Sequence, residues 1–442
     1  MTRNHILVAC LSALVAGGCG LDVQRQGSAT GGDPMNALAE RYVRLVLSLG
    51  QHDADYVDAY YGPPEWRKEA EAEKRPLGEI DEAAAALRTA LEDVTPPPDA
   101  EERVRLRHRY LTRQVESLRA RVKMLSGRTL RFDEESKALY DVVAPVRGAA
   151  EFEKVLAELE TRLPGRGSLS ERYDAFRAGF VIPRGRLDAA FEAAIEGCRS
   201  QTLQHVTLPP GESFSVEYVT NKSWSAYNWY QGNYRSLIQV NTDLPIFVNR
   251  AIDLACHEGY PGHHVYNVLL EKHLVRDRGW LELSVYPLFS PQSLIAEGSA
   301  NFGVDVAFPR AERLDFERRV IFPAAGLDPA RAEPYYEVVT LVERLSYAEI
   351  DAARRYLDGE IDARAAIEWL KTYGLFSAPR AAQRLRFIDQ YRSYEINYSL
   401  GRDMVAAYVG RVAGPSANAD RRWRVFEELL SSPRLPSDLV VR

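Results

Sequence analysis

Residues 254–269 read LACHEGYPGHHVYNVL, an apolar helical stretch cut by Pro261. Proline offers no N–H to the carbonyl four residues back, its ring clashes there, and it disfavours the α region for the residue before it. Any fold of this chain must therefore break that helix between Tyr260 and Gly262, and Gly262 can adopt the backbone angles a break requires. The break falls among chemistry-bearing side chains: His257 and Glu258 precede it, His263 and His264 follow it. In an HExxH metal motif the second histidine comes four residues after the first, so that both imidazoles reach one ion. Here that position is the proline. On a regular helix His263 would lie about 240° round from His257, and His264 about 10 Å further along the axis, too far to share a metal whose bonds are about 2 Å long. With residues 260–262 looped out, the next turn restarts with His263 where a fourth-position histidine would stand. His264 is then either the alternative ligand or a substrate contact.

A catalytic metal needs a third protein ligand and an open position. SLIAEGSANFGVDVAF has helical periodicity and carries Glu297, the leading candidate, with Glu271 and Glu282 as weaker ones. Gly298 and Ala300 are small enough for a close helix–helix approach. Asn301 and Asp305 fall on the face of Glu297 at steps of four and could brace the ligands. His273 reads as a surface residue.

The rest of the chain frames this cluster. Its 442 residues, 46% hydrophobic and 27% charged, suit one large globular domain or two interlocked ones. A net charge of −6 with no long basic run leaves no footprint for a nucleic-acid partner. From near Pro34 to residue 205 the pattern is helical, broken at YYGPPEW (60–66) and TPPPDAEE. SFSVEYVTNKSWSAYNWYQGNYRSLIQVNTD (213–243) turns rich in aromatic and β-branched residues, with Gln231–Asn233 between two strand-like runs, which predicts a hairpin. Helical patterns resume from 246 to 308 and continue to about 410. The expected class is mainly α with a small antiparallel sheet beside the histidine helix, divided into an N-terminal helical part (35–205) and a part (206–442) that carries the site.

The first residues read as processing signal: Arg3, an apolar run from Ile6 to Ala16, then Ala16-Gly17-Gly18-Cys19. That ending resembles a bacterial lipobox, which implies removal of residues 1–18 and a lipid anchor on Cys19. Residues 19–34 form a Gly/Ser-rich tether. Gly20 after the cysteine points to the outer membrane of a Gram-negative envelope, facing the periplasm. Two cysteines remain in the body, Cys198 and Cys256; a single bridge between them is possible, but Cys256, beside His257 in an apolar helix, reads rather as a small buried hydrophobe.

HEGYPGHH with its AEGSA segment, together with YVDAYYGPPEW, LIQVNTDLP and RFIDQYRSYEINYSLG, resembles the bacterial domain of unknown function 885 family, grouped with the gluzincin-like metallopeptidases. The resemblance implies a largely helical fold and Zn²⁺ held by His257, His263 and Glu297, with Glu258 as general base. It departs from many members at Ser299, where they carry Trp, which bears on the pocket wall and not on the ligand set. An oxyanion donor would come from Tyr391, Tyr394 or Tyr398, or from Arg392 or Arg402; Tyr394 and Tyr398, one turn apart, are the foremost catalytic candidates and Arg392 a substrate contact. Asn241 or Tyr234, in the strand region, could face an extended peptide bound along a strand edge. The expectation is an envelope metallopeptidase acting on peptides. A hydrolase of other amides or esters, or a helical lipoprotein without activity, would carry the same motif.

Overall fold

The computed structural model describes residues 33–440. The signal segment, Cys19 and nearly all of the tether lie outside the described residues.

The described residues are mainly α-helical, from Pro34–Leu49 to Pro436–Leu439, with two small sheets among them. Helix formation follows the apolar spacing. Glu102–Leu125 contains neither Gly nor Pro and buries Leu106, Tyr110, Leu111, Val115, Leu118 and Val122 along one stripe. None of the described helices is long and apolar enough to cross a membrane.

The strands are β1 (Val57–Tyr60), β2 (Ser213–Val219), β3 (Ala226–Gly232), β4 (Arg235–Asn241) and β5 (Val285–Pro287). β3 and β4 form the expected antiparallel hairpin. Its turn residues Asn233 and Tyr234 have φ of 54° and 62°, the double positive φ that matches strand twist in a two-residue hairpin. The sheet is not purely antiparallel, however: β4 lies between β2 and β3 and pairs parallel with β2. Residues 220–225 carry the chain from one edge to the other. The Asp243 carboxylate pins this crossover by accepting the N–H groups of Asn221 and Lys222. The second sheet was not expected. β1 pairs antiparallel with β5, so residues 281–287, expected to be helical, form a 3₁₀ turn and a strand.

Among the described residues two large hydrophobic clusters and a small third one (Ala352, Leu370, Ala381) make the core, and both large ones draw on residues before and after position 205. Helix Pro291–Ala307 lies at their seam, giving Leu294 to one and Ile295, Ala296 and Val304 to the other. It crosses helix Ile396–Ala413 glycine on glycine: a Cβ on Gly298 would come within 2.5 Å of the Gly401 backbone. That approach sets Glu297 beside Tyr394 and Tyr398. Ser299 is fully buried, with its hydroxyl on the Ala296 carbonyl, and does not line the cavity.

Candidate metal centre

The histidine segment is three pieces. Helix Asn249–Leu254 widens into a π turn over Ala255–Gly259, Tyr260 is extended, and a new helix runs from His263 to Leu270. The Gly262 N–H reaches back 2.9 Å to the Cys256 carbonyl. A Cβ on Gly262 would stand 1.8 Å from the His257 carbonyl oxygen, so only glycine allows the fold-back. The result brings the His263 ring alongside His257, with centroids 4.7 Å apart.

Glu297 completes a cluster with them. His257 Nε2 and His263 Nε2 are 3.1 Å apart, and Glu297 Oε2 is 3.3 Å from the first and 3.6 Å from the second. A tetrahedral metal with bonds of about 2.0–2.2 Å separates its ligand atoms by about 3.3–3.6 Å, so these three atoms, 3.1–3.6 Å apart, come close to the spacing of three corners around a small cation. Their valences fit one too. Glu297 Oε2 is buried without a hydrogen-bond partner, while Oε1 accepts the Tyr394 hydroxyl at 2.7 Å. Burial alone would raise the Glu297 pKa, but the charge on His263 and the two imidazoles facing it hold it well below the usual carboxylate range. Burial likewise opposes charge on His263, yet Glu297, then Glu258 and Asp58, push it up to about 9. Without a metal, this cluster recruits a proton.

Glu258 sits beside the cluster, its Oε1 3.9 Å from His257 Nε2. It is only 4% exposed, and burial raises its pKa against the pull of the two histidines. Its backbone is fixed by Asn228, whose Nδ2 donates to the Glu258 carbonyl at 2.7 Å. All four residues open onto a cavity of about 770 Å³, which Asp58, residues 223–228, Tyr286, Tyr391, Tyr394 and Tyr398 also line.

The remaining candidates divide. Tyr394 is occupied by Glu297 and orients that carboxylate. The Tyr398 hydroxyl has no protein partner among the described residues, and burial and the Glu297 charge keep it protonated. Asn241 reaches the cavity wall, but its amide is spent on the Lys222 and Trp224 carbonyls, so it holds the crossover loop and not a substrate. Asn301 donates to the Glu297 carbonyl, whereas Asp305 pairs with Arg402 at the exposed rim.

Three expectations fail here. His264 is wholly buried between Ser236 Oγ (2.8 Å) and Glu212 (3.0 Å), and contacts neither the cluster nor the cavity. Arg392 turns away to pair with the buried Glu135 at 2.7 Å, because the helix ends at Tyr391 and its backbone reverses there with φ of 54°. Cys198 and Cys256 are joined in a disulfide, since helix Leu187–Leu203 packs against the π turn with their Cα atoms 5.5 Å apart. Glu271 and Glu282 are tied elsewhere, to Tyr230 and Arg276 and to Arg107. Tyr234 stays in the hairpin turn, under Arg276.

Sequence reasoning missed two residues. Asp58, on β1, faces the cavity and accepts the Tyr227 hydroxyl. Burial, opposed by His263 and reinforced by Glu297 and Glu258, pushes its pKa up to about 7. It lies inside YVDAYYGPPEW, the one signal that could have flagged it. Glu212 accepts both the Tyr260 hydroxyl at 2.7 Å and the His264 ring, clamping the two sides of the Pro261 break.

No family model matches the sequence, and no curated protein matches it. Among solved structures, the chain is similar to a Colwellia psychrerythraea protein provisionally named a lipoprotein, at 13% identity and a TM-score of 0.46, over 92% of this chain and 77% of that one. It is also similar to a Pyrococcus furiosus carboxypeptidase, at 14% identity and a TM-score of 0.45, over 91% and 90% of the two chains. The chemistry is therefore read from the side chains themselves.

Proposed function

We propose that this chain is a zinc-dependent hydrolase, and specifically a metallopeptidase. The observation that carries it is the convergence of His257 Nε2, His263 Nε2 and the unpartnered Glu297 Oε2, with the Glu258 carboxylate beside them, on one cavity. Two imidazoles and a carboxylate suit zinc, which when bound supplies a Lewis acid and lowers the pKa of water. Glu258, its basicity raised by burial, takes the proton from the attacking water and passes it to the leaving nitrogen. Tyr394 holds the Glu297 carboxylate in place. Tyr398 donates its free hydroxyl to the oxygen that becomes negative as the carbonyl is attacked. Residues 223–228, leading into the edge strand β3, form a wall against which an extended peptide can lie. The resemblance to the domain of unknown function 885 family agrees with this ligand set.

The test has two stages. Purified protein should contain about one zinc per chain, lost in His257→Ala; no metal in the wild type would sink the hydrolase reading. A peptide-library digest should then differ between the wild type and Glu258→Gln, and identical digests would leave no peptidase. Esters and non-peptide amides in the same assay separate the alternatives.

The same proposal places the protein outside the cytoplasm, anchored through Cys19. The Cys198–Cys256 disulfide supports an oxidising compartment. Labelled fatty acid should enter the wild type and not Cys19→Ala; equal labelling would refute the anchor.

A further inference from the structure

Six arginines line the cavity: Arg177, Arg250, Arg313, Arg380, Arg384 and Arg402. Five have a carboxylate within ion-pair distance: Arg177 has Asp174, Arg250 and Arg313 share Asp253, Arg384 has Glu349, and Arg402 has Asp305. Arg380 has none among the described residues. Its Nη1 donates to Gln383 Oε1 at 2.7 Å and to Ser225 Oγ at 3.3 Å, which fixes the guanidinium, while Nε and Nη2 have no acceptor among the described residues. The guanidinium lies over the Phe376 ring, 5.6 Å from its centroid.

A largely buried cation with no carboxylate in ion-pair contact is costly, and proteins seldom keep one unless something else supplies the anion. Burial, with repulsion from Arg384, pushes the Arg380 pKa down to about 9 against the pull of Glu349, so the group is still charged at neutral pH. Its surroundings add positive potential. Arg380 is the third residue of helix Ala378–Tyr391, and the Ser377 side chain makes no cap, so the first helical N–H groups are left uncapped by it. A planar fork with one free edge matches a carboxylate in two-point contact.

The position is informative. The Ser225 carbonyl accepts the Asn241 N–H at 2.8 Å, extending the β3–β4 ladder. Three residues further on, Asn228 grips the Glu258 carbonyl. Three strand residues span about 10 Å. Arg380 therefore stands a few extended residues from the general base, along the wall a substrate would follow.

We propose that Arg380 is the receptor for a substrate carboxylate, either the free C-terminus of a peptide or an acidic side chain near the cleaved bond. This rests on the metallopeptidase reading and narrows it: a peptide would be held by its carboxylate and cut within its last few residues.

The experiment uses one cleavable peptide sequence in three forms: free acid, C-terminal amide, and amide with Glu as last residue. Metal-loaded wild type, Arg380→Gln and Arg380→Lys are compared, with metal content and Tm recorded for each. In the wild type, amidation should lower kcat/KM by about 30-fold or more, chiefly through KM, the effect of removing one partner of a buried charge pair. Arg380→Gln should lose as much on the free acid and no longer distinguish it from the amide. Arg380→Lys, which keeps the charge but loses the fork, should retain part of the preference. Recovery of cleavage by the Glu-terminated amide assigns the receptor to acidic side chains; no recovery assigns it to the C-terminus. Calorimetric binding of the free acid and the plain amide to Glu258→Gln protein gives a readout independent of turnover, and the free acid should bind more tightly. Equal cleavage and equal binding of free acid and plain amide by metal-loaded protein would overturn the Arg380 proposal and leave the peptidase reading standing. Failure of metal-loaded wild type to cut any form would overturn both.

Discussion

Two histidine–carboxylate centres flank the Pro261 break, one residue apart in sequence, and they differ in how completely they are satisfied. His264 lies between Ser236 and Glu212, and Glu212 also takes Tyr260 and Arg199, so the interior closes over a complete network. His263 faces His257 ring nitrogen to ring nitrogen, beside a Glu297 oxygen with no hydrogen-bond partner, on the wall of a cavity. Residue type does not separate the two. Unused valence does: buried polar groups are normally paired, so a buried carboxylate oxygen without a partner, set against two imidazole nitrogens that have only each other, marks a place prepared for something else. The closed centre in turn holds the open one, because Glu212 fastens Tyr260 and His264 on either side of the turn that delivers His263.

That contrast can be broken by substitution. The largest difference should be between neighbours: His263→Ala should lose bound metal and with it all activity, whereas His264→Ala should keep about one metal per chain and lose about 2 kcal/mol or more of stability, since Glu212 and Ser236 are left underpaired. Metal analysis and thermal unfolding of the two variants decide it, and metal loss in both would dissolve the distinction. Next, Glu258→Gln should retain the metal and lose about 10²–10⁴-fold in turnover. Smaller again, Tyr394→Phe and Glu212→Gln should each weaken metal affinity by about 10–100-fold, as expected when a group that orients a ligand is removed; a chelator titration measures this.

The smallest effect is a pH signature of the open centre. With metal stripped, His263 has a folded-state pKa raised from 6.5 to about 9. A raised pKa contributes stability that is complete below 6.5 and disappears as pH climbs through 9. Chelator-treated protein should therefore lose Tm across that window. Metal-loaded protein should not, because the cation replaces the proton. Parallel Tm curves for the two forms would show that His263 is not the group exchanging one for the other.

Much of this site was legible because its constraints are local. Proline's missing N–H and glycine's missing side chain act within a turn, so HEGYPGHH by itself implied a broken helix, and Gly298 implied a close crossing. The failures share a physical cause. His264 and Arg392 are ordinary candidates until Glu212, Ser236 and Glu135 are known to be waiting for them, and those partners lie 52, 28 and 257 residues away. The parallel β2–β4 pairing depends on where the crossover loop returns, and alternation of residue type is the same in either direction. Cys256 reads as a buried hydrophobe until helix Leu187–Leu203 brings Cys198 to it.

The amino-acid sequence alone determined the helical character, the hairpin, the break at Pro261 and the residue types able to bind a metal, since each follows from covalent geometry or from spacing within a few residues. Only the tertiary structure decided which carboxylate meets the histidines, that Asp58 joins them through the β1–β5 pairing, and that Arg380, alone among the cavity arginines, has no carboxylate at ion-pair distance among the described residues. Those are distances between segments brought together by burial, and no local rule in the chain encodes them.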